Sequence, residues 1–291
     1  MSNISLLHSP FPTESPIFFK VWERPLYFGG SSGMYEVPSH KAIVKGDSSN
    51  YNVLGIVGRN YKIVTTEEIC LAAQEQFAST MTPEQLHGVK VRDRIAYHGG
   101  LCIRDYQFPT INAQIDDRGS EVRFRCVVTN GYDGATSIKV YVGAIDGFCE
   151  NGMVTGVFDL IAKRHTSQVS LPDLGSRIRA NIHIFYTEAD KWKRWAKKTV
   201  TREQAEEVFK AMPGASDKLV NKLTRQFDLE CMSRGRNVWA LFSAATYYAS
   251  YNEGEFATRN TVNDHTASTM LDREMQVRRW TNTDEFLALA A

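Results

Sequence analysis

The densest chemistry-bearing run in this chain is Lys191-Trp192-Lys193-Arg194-Trp195-Ala196-Lys197-Lys198, five cations and two tryptophans in eight positions. Phosphates need cations to neutralise them and unpaired bases need π-faces to stack on, so this mixture suits a single-stranded nucleic acid. On a helix, Trp192 falls on the apolar stripe, while Trp195 sits one turn from Lys191 and Lys198 and is expected to be half exposed. Read for structure alone, the same run is an amphipathic helix with lysine stems lying along its apolar side. A second cluster, Lys163-Arg164-His165, precedes it. Residues 160–202 hold 10 Lys and Arg against 3 Asp and Glu, whereas the whole chain has a net charge of only +1. A basic block that local is the footprint expected of a polyanion site, and equally the composition of a solvated helix face.

Two further sets carry chemistry. Arg123, Arg125, Lys139 and Tyr141 share parity on segments that flank an Asp133-Gly134 turn, so pairing would put all four on one sheet face. Such a face can track a nucleic-acid strand, or simply meet solvent. Asp133, Asn151 and His165 form the natural trio for an enzyme whose residues meet only in three dimensions. No contiguous catalytic motif supports that reading. The Gly29-Gly30-Ser31-Ser32-Gly33 loop lacks the lysine and the helix of a phosphate-binding loop. Despite its Gly-x-Ser-x-Gly spacing it opens no helix and so is no nucleophile elbow, and no His-Glu-x-x-His occurs. The seven histidines are dispersed and none of the five cysteines forms a Cys-x-x-Cys pair, so neither metal nor other cofactor is expected.

The elements that must position these residues follow from periodicity. At 43% hydrophobic and 23% charged, the chain is globular and needs no disulfide scaffold. It shows no secretory or membrane-spanning pattern, which predicts a cytoplasmic protein. Residues 1–40, rich in Pro, Gly and Ser, read as a flexible arm. Ala42–Lys45, Asn52–Gly58 and Tyr61–Val64 read as strands, followed by a helix whose start is a Thr65/Glu68 capping box. Strict alternation from Val89 to Phe158 predicts an antiparallel β-meander with one wet face. Beyond Pro172 the period changes to helical, with one long helix to about Lys198 and shorter ones near 202–211, 215–230, 237–251 and 262–280. The fold class is α+β: a meander sheet with an early helix, backed by a long helix and a C-terminal helical region. The expected division is an arm (1–40), an α+β core (41–200) and a helical region (201–291).

Several segments together resemble a known family. Leu54-Gly55-Ile56-Val57-Gly58 with Tyr61 and Val64-Thr65-Thr66-Glu67-Glu68 resembles the opening motif of the phage/plasmid-like proteins, the domain of unknown function DUF932. Asn130-Gly131-Tyr132-Asp133-Gly134 and Cys149-Glu150-Asn151-Gly152 resemble its central signature, Arg164-His165-Thr166 its Arg-His-Thr, and Asn237-Val238-Trp239 its late Asn-x-Trp helix. The family usually carries a histidine in the hairpin where this chain has Tyr132. The order of strands and long helix is similar to that of ring-forming single-strand annealing proteins of the Rad, Erf and Red-beta type. These resemblances imply a phage or plasmid protein in replication or recombination. They imply a homo-oligomer that binds single-stranded DNA or RNA and meets host or phage replication proteins. Its contacts would be Lys163, Arg164, His165, Lys191, Lys193, Arg194, Trp195, Lys197 and Lys198, with Arg123, Arg125, Lys139 and Tyr141 on the sheet. The alternatives are an interaction protein that redirects a host factor, with Asp284–Leu287 as its contact, and the enzyme built on the trio above.

Overall fold

The computed structural model describes residues 10–46, 51–134, 136–147, 149–159, 174–251 and 266–291. Two antiparallel sheets carry the strands. The first comprises β1 (Val21–Gly30), β2 (Gly33–Gly46) and β3 (Tyr51–Gly58) in chain order. Residues 21–40, expected as an arm without regular structure, are therefore most of a hairpin. Trp22, Tyr27, Phe28 and Tyr35 favour a pleated ribbon, and Gly33 at φ 143° closes the tight Ser31-Ser32 turn. Tyr61–Val64, expected as a strand, is an unpaired connection, with the Tyr61 hydroxyl donating to the Gly131 carbonyl at 3.3 Å.

The helix α1 (Thr66–Thr80) starts as expected. The Thr65 hydroxyl accepts from the Glu68 amide, and the Glu68 carboxylate takes the Thr65 amide at 2.7 Å. The single turn α2 (Pro83–Leu86) then leads into the second sheet: β4 (Lys90–Ala96), β5 (Leu101–Gln114), β6 (Glu121–Gly131), β7 (Lys139–Asp146) and β8 (Gly152–Asp159). These five pair in sequence order as a meander. The Asp133-Gly134 turn has Gly134 at φ 75°. At the next turn Glu150, not a glycine, takes the left-handed conformation (φ 55°). Gly152 instead begins β8, where a Cβ would strike the Arg125 guanidinium and the Glu274 carboxylate.

The helical half contains α3 (Leu174–Lys197), α4 (Arg202–Lys210), α5 (Asp217–Arg234), α6 (Val238–Tyr251), α7 (Thr266–Trp280) and α8 (Asp284–Ala290). One sheet face presents Tyr106, Phe108, Phe124, Val128, Val140 and Val142 to α1, α3 and α6, forming the main core. Helix α6 is apolar nearly all round and correspondingly buried. The opposite face, expected to be wet, is not: α7 lies across it, and Ile103, Val127 and Leu271 close a separate apolar cluster there. No helix among the described residues is long and apolar enough to cross a membrane.

Of Asp284–Leu287, the segment expected as an outward contact, Asp284, Glu285 and Leu287 are exposed, while helix α8 docks through the fourth residue. Phe286 is fully buried, its ring 5.1 Å from Trp195 and 4.6 Å from Trp280. Phe286→Ala should destabilise the protein by about 3–5 kcal/mol, read from urea denaturation. A loss under about 1 kcal/mol would mean that the chain end does not dock.

The Cys70, Cys102 and Cys126 thiols are buried. Burial pushes Cys70 and Cys102 up to about 12 from an ordinary 9, and the Tyr132 phenol up to about 12 from 10. Groups with pKa raised by folding stabilise the native state below their unfolded values and withdraw that stability as pH rises through the folded ones. The melting temperature should therefore be level to about pH 9 and fall between pH 9 and 12; a level profile over that range would contradict these burials.

Candidate nucleic-acid interface

The exposed arc of α3 is where the structure concentrates cations. At roughly 100° per residue, Arg179, His183, Tyr186, Lys193 and Lys197 fall within a narrow stripe about 27 Å long. All are exposed except half-buried Lys193, which pairs with Asp190 of the same stripe at 2.9 Å. Arg194 and Lys198, beside the stripe, are exposed, and neither makes an ion pair among the described residues. Lys191 is committed inward, paired with Glu188 at 2.6 Å and lying over the Trp195 ring at 5.0 Å.

Trp195 itself is only 4% exposed, wedged against Phe242 and Phe286. The expected half-exposed stacking tryptophan is thus a core residue, because it lies across the helix from the cationic stripe and α8 closes over it. Trp192 is buried as expected, against Trp239 and Phe242. The aromatic that does face outward on this arc is Tyr186. Sequence reasoning missed Arg179, His183 and Tyr186, although extending the same helical wheel toward the N-terminus would have found them.

At its C-terminal end the stripe enters a groove of about 500 Å³. Lys193 and Lys197 form one wall, Asp116, Asp117 and Arg118 of the β5–β6 turn another, and Gly235, Arg236 and Asn237 between α5 and α6 the third. The Asp116 carboxylate is used internally, accepting the amides of Arg118 and Ser120 at 2.9 Å. Arg236 is exposed and reaches Asp228 only at 3.6 Å. Gly235 sits at φ 80°, and a Cβ there would crowd the Arg118 guanidinium. Asn237 fixes the walls relative to one another. Its side-chain amide donates to the carbonyls of Ala196 and Arg234, while its oxygen caps α6 by accepting the Ala240 amide. Below the groove floor, Arg234 is buried on Glu230, Asp146 and Ser120, so it holds the scaffold and is withheld from a ligand. Two groove cations, Arg118 and Arg236, come from turns that carry no sequence pattern pointing to this site.

The sheet set is brought together and then covered. The register pairs Arg125 with Gly143, Val127 with Tyr141 and Thr129 with Lys139, so the four residues do share a face. That face lies under α7. Arg125 is 2% exposed, its Nε 3.0 Å from Asp105 and its Nη1 2.8 Å from Glu274. Burial disfavours its charge, but the two carboxylates outweigh burial and hold the guanidinium cationic. Arg123 pairs with Glu121 at 2.7 Å, Tyr141 packs on the Ile103–Val127–Leu271 cluster, and Lys139 is half-buried. Arg125 is a core residue that cannot meet a phosphate, and the four do not make an open platform. Lys163, Arg164 and His165 lie outside the described residues.

Of the trio Asp133, Asn151 and His165, the first two are held apart, and His165 lies outside the described residues. Asp133 and Asn151 stand at opposite ends of β7, whose eight residues at about 3.3 Å each span roughly 26 Å. Asp133 is engaged by the Thr136 amide and hydroxyl. Among the described residues no group of three His, Cys, Asp or Glu side chains could hold a metal ion.

A family model, the domain of unknown function DUF932, matches residues 53–281. The chain belongs to DUF932. No curated protein and no solved structure matches it. The matched region of this DUF932 chain runs from β3 to the residue after α7, so the β1–β2 hairpin and α8 lie outside it. The motif residues within it do structural work. The Asn130 side-chain amide donates to the Val64 carbonyl and the Thr66 hydroxyl, and the Tyr132 hydroxyl accepts the Thr66 amide at 2.8 Å. Together they tie the end of β6 to the start of α1. The Cys149 carbonyl accepts the Tyr251 hydroxyl at 2.6 Å, and its Sγ receives an Arg234 N–H. Asn151 is fully buried, and its side-chain amide has no hydrogen-bond partner among the described residues.

Proposed function

We propose that this DUF932 protein binds single-stranded nucleic acid, with the phosphate backbone running along the outer arc of α3 into the groove at its end. The observation that carries this reading is the convergence of Lys193 and Lys197 with Arg118 and Arg236, cations from three separate elements facing one concavity. A solvated helix face would need no such convergence. Backbone cations read charge and not base edges, so binding is sequence-tolerant, with Tyr186 as a stacking surface along the strand. The role that fits is holding a strand extended for annealing during replication or recombination of a mobile element, in the cytoplasm of its host.

Fluorescence anisotropy with a labelled oligothymidylate at low and at physiological salt tests it. The reading expects saturable binding that weakens steeply with salt. Absence of binding at low salt would overturn it.

A further inference from the structure

The β1–β2 hairpin exposes an amount of apolar surface that a monomer does not ordinarily leave bare. Strand β3 pairs only with His40–Gly46, so residues 25–39 stand out as a two-stranded ribbon, a form of marginal stability on its own. At the ribbon tip Phe28 lies opposite Tyr35 with their rings stacked. Phe28 is 56% and Met34 69% exposed, and Tyr27 and Tyr35 are also outward. Nearer the base, the register sets Trp22, Val44 and Val53 side by side and Ala42 next to Ile56, with Trp22, Val53 and Ile56 exposed. The other face of this sheet is satisfied, since Ile43, Leu54 and Val57 close a core cluster with Tyr132.

The chemistry of the surface selects its occupant. Between Pro25 and Ser39 the only formal charge is Glu36, and nearer the base exposed Arg24 stands opposite Ala42 on the face of Trp22 and Ile56, so a nucleic-acid strand would find little positive charge for its phosphates along this surface. Tyr27 and Met34 are one residue out of phase with Phe28 and Tyr35 and project from the other side of the ribbon. The other five exposed side chains offer on the order of 500 Å² per copy, about 1,000 Å² in a symmetric pair, the size at which a specific interface begins. Pro25 lacks an N–H and interrupts the donors of edge strand β1, which disfavours simple extension of the sheet and favours contact through its face. We infer that the outer face of this sheet and its ribbon tip form a symmetric contact with a second copy of the chain, each copy covering the other's Trp22, Phe28, Tyr35 and Ile56.

Sedimentation equilibrium of the full chain, without nucleic acid, is the test. The expected result is a dimer at micromolar concentration that high salt does not dissociate. Phe28→Glu/Tyr35→Glu and, separately, Trp22→Glu/Ile56→Glu should each raise the dimer dissociation constant at least 100-fold. Both should leave far-UV circular dichroism unchanged, because these side chains are already exposed in the single chain. A wild-type monomer at tens of micromolar, or dimers in both variants, would overturn the proposal. A monomeric wild type whose oligonucleotide affinity falls in Phe28→Glu/Tyr35→Glu would also overturn it and assign the face to bases.

Discussion

Replacing Arg125 with alanine should remove about 3–5 kcal/mol of stability, enough to unfold much of the population of an ordinary domain. The guanidinium stands between Asp105 of β5 and Glu274 of α7, and Glu274 has no exposed side-chain surface. Removing the cation takes its ion pairs from two carboxylates held largely out of water, which costs more than the pairs themselves contribute. The double variant Arg125→Met/Glu274→Met should recover part of the loss, because two apolar side chains of similar length need no neutralisation. Urea denaturation of the three proteins decides it. A loss below about 1 kcal/mol for Arg125→Ala would show that α7 does not seal the sheet face.

The groove behaves oppositely. Reversing Lys193 and Lys197 to glutamate should leave the melting temperature within a few degrees, since neither side chain is buried. The same change should weaken oligonucleotide binding on the order of 10- to 100-fold, because two charge-assisted phosphate contacts become repulsions. Reversing Arg123 and Lys139 on the covered sheet face should change affinity by less than about threefold. Equal losses from the two pairs would mean that binding follows net charge and not this site.

The contrast between Arg125 and Lys197 explains how much could be read in advance. The capping box at Thr65 and Glu68 and the register around the Asp133-Gly134 turn are local, and both stand in the structure as the sequence pattern implies. The alternation Arg123-x-Arg125 signals correctly that these side chains share a face. Whether that face is wet depends on Glu274, 149 residues away, and no periodicity within the strand reports it. Trp195 illustrates the same limit, because its burial requires Phe286 from the chain end. The groove was half legible. Lys193 and Lys197 stand in a conspicuous basic run, whereas Arg118 and Arg236 are single cations in turns and join the site only through the packing that Asn237 holds. The hairpin was missed for another reason. Its Gly, Ser and Pro residues suggest a loop, but its aromatic residues are strand formers that a composition count averages away.

The central claim is that phosphates meet the α3 arc and its groove, and the salt dependence of binding tests this most directly. Each phosphate contact on a single strand contributes about 0.7 to the slope of log affinity against log salt. Neutralising Arg118, Lys193 and Lys197 together to glutamine should lower the magnitude of that slope by about 2, with weaker binding at low salt and an unchanged melting temperature. A slope and affinity equal to those of the unaltered protein would contradict the account.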